Sequence, residues 1–299
     1  MNTFIFGGQS ILDDNVLKKI YLNENFENII NRISLTVNID LTRVILEKNI
    51  NKKQLEKQLI ILAIQTFQFE FLHELGIIED EVFGYSIGDF AALVCCNILS
   101  VEDVAKIIVK RFEISQKFFP RSLSGNIEML SIQNLHISVV SNMIKKFSNI
   151  DITNINTEKQ CVVCGRKEEL FNLKRSIKSQ YNSVLIIPIM VNVPFHTNHL
   201  SVAAKEFEKY LHNFDFLPSN TIPNLSGHSI LKKDDYYTIL AQIMYNCVNW
   251  NSSVKEIEKE NNNIYECSIR KMLIKFNNEI LTDEKKHINQ TYFFDLYNE

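Results

Sequence analysis

No apolar run in this 299-residue sequence approaches the roughly 20 residues needed to cross a bilayer, so no membrane-spanning helix is expected. Met1-Asn2-Thr3-Phe4-Ile5-Phe6-Gly7-Gly8 has neither a basic segment nor a long apolar core, and no secretory leader is expected there. Charge of one sign is also lacking. The formal net charge is −3 and no Lys/Arg stripe interleaves with aromatics, which argues against nucleic-acid binding. Six cysteines are too few for a disulfide scaffold in a chain this long, and in a reducing cytosol they would stay thiols. Cys161-Val162-Val163-Cys164 has C-x-x-C spacing, yet it lies in a β-branched run before Gly165 and no second pair follows. Buried strand cysteines are therefore expected, and no metal site. Hydrophobic content of 45% and charged content of 22% are those of a soluble globular protein, expected to be cytoplasmic. The length suffices for a full core plus a small second lobe.

The most informative feature present is Gly84-Tyr85-Ser86-Ile87-Gly88-Asp89, between a strand-like run at 81–83 and a helix-forming run at 90–96. It reads as a nucleophile elbow. A serine at such a G-x-S-x-G turn is exposed where a strand turns sharply into a helix, and the helix N-terminus faces the charge that develops on an attacked carbonyl. Residues 3–6 read as a buried strand leading to a turn at Gly7-Gly8-Gln9-Ser10, where backbone N–H groups could be exposed. Residues 54–75 carry apolar residues at helical spacing and end at Gly76, the expected C-cap. Ser100-Val101-Glu102-Asp103 begins a helix that runs to about 118.

Arg111 lies in that last helix, on the same stripe as Val104, Ile107 and Ile108. An arginine stays charged at physiological pH, and burying it without an anionic partner costs several kcal/mol. Two readings stand: Arg111 snorkels or pairs with an internal carboxylate, or it receives a substrate carboxylate in bidentate fashion. From 126 to 190, β-rich runs (127–132, 161–164, 183–187) alternate with helical ones (138–147, 167–179), suggesting a small α+β lobe inserted into a larger fold. A helix follows over 203–211, then a strand-to-turn segment at 223–227, and residues 231–248 read as mostly helical.

A serine nucleophile needs a base. His196, in Val193-Pro194-Phe195-His196-Thr197, is the best candidate because a loop on a rigid scaffold can present its imidazole. His199 follows at i+3, but no third ligand accompanies the pair. His73, His136, His212, His228 and His287 read as helical or surface histidines.

Taken together, these segments resemble the malonyl-CoA:acyl-carrier-protein transacylase family, including the free-standing acyltransferases that load fatty-acid and polyketide synthases. Phe6-Gly7-Gly8-Gln9-Ser10 is similar to the family's F-P-G-Q-G, and Gly84-Tyr85-Ser86-Ile87-Gly88-Asp89 to its G-H-S-x-G-E. The 25-residue step from Ser86 to Arg111 equals the family's spacing from nucleophile to carboxylate-binding arginine. Asn154-Ile155-Asn156 with Gln160-Cys161-Val162-Val163-Cys164-Gly165 resembles N-x-N-x-x-x-Q-x-V-x-x-G, and Val193-Pro194-Phe195-His196 the histidine segment. Pro223-Asn224-Leu225-Ser226-Gly227 resembles N-x-T-G, and the segment ending Val248-Asn249-Trp250 resembles V-Q-W.

The resemblance implies an α/β fold, an α/β-hydrolase-like large domain (1–125 and 191–299) with an inserted ferredoxin-like small subdomain (126–190). It implies catalysis by Ser86 and His196, an oxyanion hole from the N–H groups of Gln9 and Ile87, and Arg111 on the malonyl carboxylate. The main-chain carbonyl of Asn249 would orient the histidine, and Phe195, Tyr85 and Asn156 would line the substrate pocket. Phe195 resembles the residue of acyltransferases that accept unbranched malonyl units. No bound cofactor or metal is implied: malonyl-CoA is the donor substrate, a phosphopantetheinylated acyl carrier protein the partner, and a monomer the expected state. Alternatives are a hydrolase that clears acyl groups from carrier proteins and a non-catalytic carrier-docking protein; Arg111 argues against the first and the joint presence of Ser86, His196 and Arg111 against the second. Three departures point to a diverged member: Asp89 for the glutamate, Gly7 and Ser10 for proline and glycine, and Glu266-Cys267-Ser268-Ile269-Arg270 where the family has a Gly-Pro-Gly turn.

Overall fold

The computed structural model describes residues 1–47, 50–120, 123, 125–230, 232, 234–257, 263–281 and 288–298. Its strands are Asn2–Phe6 (β1), Glu81–Gly84 (β2), Ile127–Gln133 (β3), Ile150–Thr157 (β4), Gln160–Arg166 (β5), Leu185–Ile189 (β6), Asn224–Leu225 (β7), His228–Ser229 (β8), Val248–Asn249 (β9), Asn263–Cys267 (β10) and Gln290–Tyr292 (β11). They form two sheets, β11-β10-β1-β2-β7-β8 and β6-β3-β5-β4-β9. The fold is the expected α/β arrangement.

The large sheet is parallel except for the β7–β8 hairpin. Phe4, Ile5, Phe6, Val82 and Phe83 are buried on both of its faces, as strands covered by helices on either side require. Its register aligns Phe6 with Gly84 and with Cys267, and Gly84 with Leu225. The carboxyl ends of four strands therefore finish side by side, and the loops after them converge on one crevice.

The helix Gln54–Glu74 is buried nearly all round, with Gly76 at φ 76° just past its end. Val101–Phe118 starts at the expected N-cap, where Ser100 Oγ accepts the Asp103 N–H at 3.1 Å. The helix expected over 231–248 is shorter, Asp235–Gln242; residues 231 and 233 lie outside the described ones. The chain then turns, because Val248 and Asn249 are drawn into strand pairing with Asn154 and Ile155 of β4.

The small sheet is built β3, helix Ile137–Ile144, β4, β5, helix Lys167–Gln180, β6, with the order β6-β3-β5-β4 of a ferredoxin-like lobe, and β9 adds a fifth strand. β4 is the element that alternation alone does not suggest. Its sequence, Ile-Asp-Ile-Thr-Asn-Ile-Asn-Thr, is interrupted by Asp151, Asn154 and Asn156, residues of low strand preference, yet both asparagines are buried.

Where the family's glycine-proline turn is missing, a carboxylate holds the chain. Glu266, fully buried in β10, accepts the backbone N–H groups of Met272 (2.8 Å), Leu273 (2.8 Å) and Ile274 (3.0 Å) and the Ser268 hydroxyl (2.8 Å). It thereby caps the helix Leu273–Ile280 from a neighbouring strand. Glu266→Ala leaves those donors buried without an acceptor, an expected loss of about 3 kcal/mol or more. In thermal denaturation that is a midpoint fall of about 5 °C or more for a chain of this size. A midpoint within about a degree of the parent's would show that the cap carries no stability.

Candidate active site

The elbow is built where β2 ends. Ser86 sits at φ 59°, in the left-handed region, so the chain reverses sharply into the helix Gly88–Cys95. Both glycines of the motif are demanded by close approach. A Cβ on Gly88 would lie 2.2 Å from the Phe6 carbonyl oxygen, and one on Gly84 would lie 2.3 Å from Asp89 Oδ1.

His196 reaches the elbow from the loop after β6. Its Nε2 lies 2.7 Å from Ser86 Oγ. Gln54 clamps the start of that loop, with Oε1 accepting the N–H groups of Asn192 (2.8 Å) and Val193 (3.0 Å) and Nε2 donating to the Val193 carbonyl (3.1 Å). The His196 N–H donates to Met244 O at 2.7 Å. The carbonyl facing Nδ1 is that of Asn246, at 3.2 Å, and this corrects the expectation of Asn249. The turn after Gln242 carries the Asn246 carbonyl to the imidazole. Asn249 is instead held in β9, its N–H on Ser226 O (3.4 Å) and its carbonyl facing Ser253 Oγ (3.5 Å). With Nδ1 donating to a carbonyl, Nε2 is left to accept the serine proton. Burial, followed by the Arg111 charge, pulls His196 from 6.5 down to about 4, while the Ile243 and Asn246 carbonyls oppose the shift, so the imidazole is neutral at physiological pH.

Arg111 is only 2% exposed. Its guanidinium carbon lies 4.5 Å from the Phe90 ring centroid and 4.4 Å from that of Phe195, between two π faces. Nη2 donates to Gln58 Oε1 at 2.9 Å, and Nε has no partner. Burial lowers Arg111 to about 9 against the pull of Asp89, which leaves it a cation at neutral pH.

These groups share a cavity of about 250 Å³ between the lobes, lined among others by Gln9, Gln58, Tyr85, Ser86, Ile87, Arg111, Asn156, Phe195 and His196. The Tyr85 hydroxyl donates to Asn156 Oδ1 (2.6 Å) and accepts from Asn154 Nδ2 (3.0 Å), fastening the elbow to β4 of the small lobe. Among the described residues no acceptor takes the backbone N–H of Gln9 or Ile87. Thus Ser86, His196, Arg111, Gln9, Ile87, Phe195, Tyr85 and Asn156 come together, and Asn249 does not join them.

Residue-by-residue reading passes over the glutamines of the long helix. Gln54, Gln58, Gln65 and Gln68 recur at steps of four, seven and three, on one helical face. Gln65 Nε2 donates to Gly7 O (2.7 Å) and Cys267 O (3.2 Å), and Gln68 Nε2 to Ser268 O (3.0 Å). One helix face thereby satisfies the loops that follow β1, β6 and β10. The detectable signal was a polar stripe inside an otherwise apolar run.

The potential metal ligands lie elsewhere. His199 packs edge-on against Phe119, centroids 6.3 Å apart, while its i+3 partner faces Ser86. Cys161 and Cys164 are buried on opposite faces of β5, in different clusters, and burial raises both thiols to about 12. His73, Glu79 and Cys95 do gather three potential ligand atoms, but His73 Nε2 and Glu79 Oε2 already meet each other at 2.5 Å. His287 lies outside the described residues. Among the described residues no helix is long and apolar enough to cross a membrane.

A polyketide biosynthesis malonyl CoA-acyl carrier protein transacylase, PksC of Bacillus subtilis (strain 168), is 23% identical over 269 residues, 87% of this chain and 90% of that one. The crystal structure of a malonyl CoA-acyl carrier protein transacylase from Clostridium perfringens superimposes with a TM-score of 0.86 at 21% identity, covering 99% of this chain and 95% of that one. A malonyl-transacylase in complex with its type II polyketide-synthase acyl-carrier protein, PlMCAT:AntF, superimposes at 0.85 with 19% identity, covering 97% and 94%. The family model of the acyl transferase domain matches residues 23–287, and the chain belongs to that family.

Proposed function

We propose that this protein moves a malonyl unit, or a closely related carboxylated acyl unit, from coenzyme A to the phosphopantetheine thiol of an acyl carrier protein through an acyl-Ser86 intermediate. The observation that carries the reading is the buried Arg111, with an unpartnered Nε, in the cavity that holds Ser86 and His196. A buried cation with a free donor suits an anionic ligand, and a guanidinium suits a carboxylate in particular.

His196 Nε2 takes the Ser86 proton as Oγ bonds to the thioester carbonyl carbon. The oxygen that becomes negative is received by the N–H groups of Gln9 and Ile87. Collapse breaks the C–S bond, and the coenzyme A sulfur leaves with the proton returned by His196. In the second half, His196 deprotonates the carrier thiol, which attacks the acyl-serine ester, and Ser86 recovers its proton. The carrier as acceptor is supported by the names of the similar proteins, one of them bound to its carrier. Their polyketide association, with the departures at Gly7, Asp89 and 266–270, supports service to a polyketide assembly line. The same reading assigns the chemistry to 1–125 and 191–299, and one wall of the acyl pocket to 126–190.

Arg111→Ala tests the reading. Malonyl loading from malonyl-CoA is expected to fall about 100- to 1000-fold, the cost of losing a charge-assisted donor set. Acetyl loading from acetyl-CoA should change less than about tenfold. Equal losses on the two donors would mean that Arg111 only supports the fold, and the carboxylated substrate would be wrong.

A further inference from the structure

The nucleophile's own backbone N–H is tied to a residue that none of the chemistry above uses. Ser86 N–H donates to Ser226 Oγ at 3.0 Å, and the Ser226 hydroxyl donates to Asp89 Oδ2. Ser226 is 3% exposed and Asp89 is fully buried. Ser226 stands at φ 51°, its N–H donating to Gly84 O at 3.2 Å, so the end of β7 is laid against the end of β2.

A serine hydroxyl can rotate, and it can donate or accept. A carboxylate only accepts. In its ionised form Asp89 accepts the Ser226 hydrogen bond, which fixes the rotor and leaves an oxygen lone pair for the Ser86 N–H. The backbone at Ser86 is thereby held in a conformation that non-glycine residues rarely adopt. Asp89 packs directly on the backbone of Gly84, where a Cβ would lie 2.3 Å from Oδ1.

We propose that Ser226 is a positioning residue for the nucleophile: its hydroxyl, oriented by Asp89, holds the Ser86 N–H so that Oγ meets His196 Nε2 and the Ile87 N–H is left for the substrate oxygen. This rests on Ser86 being the nucleophile. The alternative is that Ser226 matters only because its left-handed backbone shapes the turn. Glycine separates the two, since it takes that conformation without strain but carries no hydroxyl.

The experiment is single-turnover acylation by malonyl-CoA, followed by rapid quench and intact-protein mass spectrometry, on the parent, Ser226→Gly, Ser226→Ala and Ser86→Ala. Ser226→Gly and Ser226→Ala are both expected to acylate about 10- to 100-fold more slowly, the scale of a misplaced reacting atom. The half-saturating malonyl-CoA concentration should stay within about twofold of the parent's, because Arg111 and the cavity are untouched. Acylation by Ser226→Gly at the parent rate overturns the proposal, as does a loss carried wholly by weaker saturation. Labelling that persists in Ser86→Ala is a distinct pattern, and it overturns the nucleophile assignment beneath the proposal.

Discussion

Ser86→Ala is expected to form no acyl-enzyme from malonyl-CoA, with transfer to a carrier thiol falling on the order of 10⁶-fold. The size of the effect follows from the site. Ser86 Oγ lies 2.7 Å from a neutral imidazole that is held by the Asn246 carbonyl, and an unassisted hydroxyl elsewhere is nearly inert at neutral pH. Alanine carries the same Cβ as serine at φ 59°, so the elbow keeps its strain and its shape. The loss is therefore chemical, and the thermal midpoint should hold. Intact-protein mass spectrometry after brief incubation with malonyl-CoA, and separately with acetyl-CoA, checks it. A covalent adduct that persists in the mutant refutes the assignment. An adduct on the parent that hydrolyses as fast without carrier thiol as with it turns the reading toward a hydrolase.

Much of this site was legible in the sequence because its parts are local. An elbow is six contiguous residues, and Arg111 announced itself as a charge on an apolar stripe. What could not be read is what depends on where distant loops end. Asn249 and Asn246 are three residues apart, and only the strand pairing of Val248 and Asn249 with β4 decides which carbonyl faces His196. β4 was obscured for a related reason. Its asparagines disfavour a strand locally but each holds the Tyr85 hydroxyl across the lobe boundary, a tertiary reward that propensity does not contain.

Two departures from the family pattern, Gly7 and the turn at 266–270, look independent in the sequence yet touch in space. A Cβ on Gly7 would lie 2.6 Å from Ser268 Cβ, so the residue in the proline position and the turn that replaces Gly-Pro-Gly are packed against each other. Ser268 in turn donates to Glu266 and to Arg270 O, while Gln65 and Gln68 satisfy the carbonyls on either side. The loop that presents Gln9 is thus held from below by side chains rather than by the stiffness of a proline. No single motif position shows this, because Gly7 and Ser268 are 261 residues apart in the chain and Gln68 and Ser268 200.

His196→Ala is expected to slow acylation and deacylation alike, each by about 10⁴-fold, since in the proposed exchange one imidazole serves both steps as base and then as acid. Undiminished transfer would point to another base. The pH profile gives a sharper test. The base works when unprotonated, so acylation rises with pH through the His196 pKa and is flat above it. Burial and the Arg111 charge place that rise near 4 in the free protein, well below the ordinary 6.5. The His196 limb of the parent's kcat/KM should already be complete at pH 5.5, and a rise centred on 6.5 that persists in Asp89→Asn would overturn the buried imidazole. Asp89, which burial raises to about 7, also titrates within the working range; a limb near 7 that disappears in Asp89→Asn belongs to that carboxyl and not to the base. Arg111→Ala removes the second cause of the depression, so the limb should move upward while staying below 6.5, burial being the larger cause. A bound malonyl carboxylate would act in the same direction by offsetting the guanidinium charge. Since kcat reports the complex and kcat/KM the free protein, the malonyl limb in kcat should lie above that in kcat/KM, and with acetyl-CoA the two should coincide.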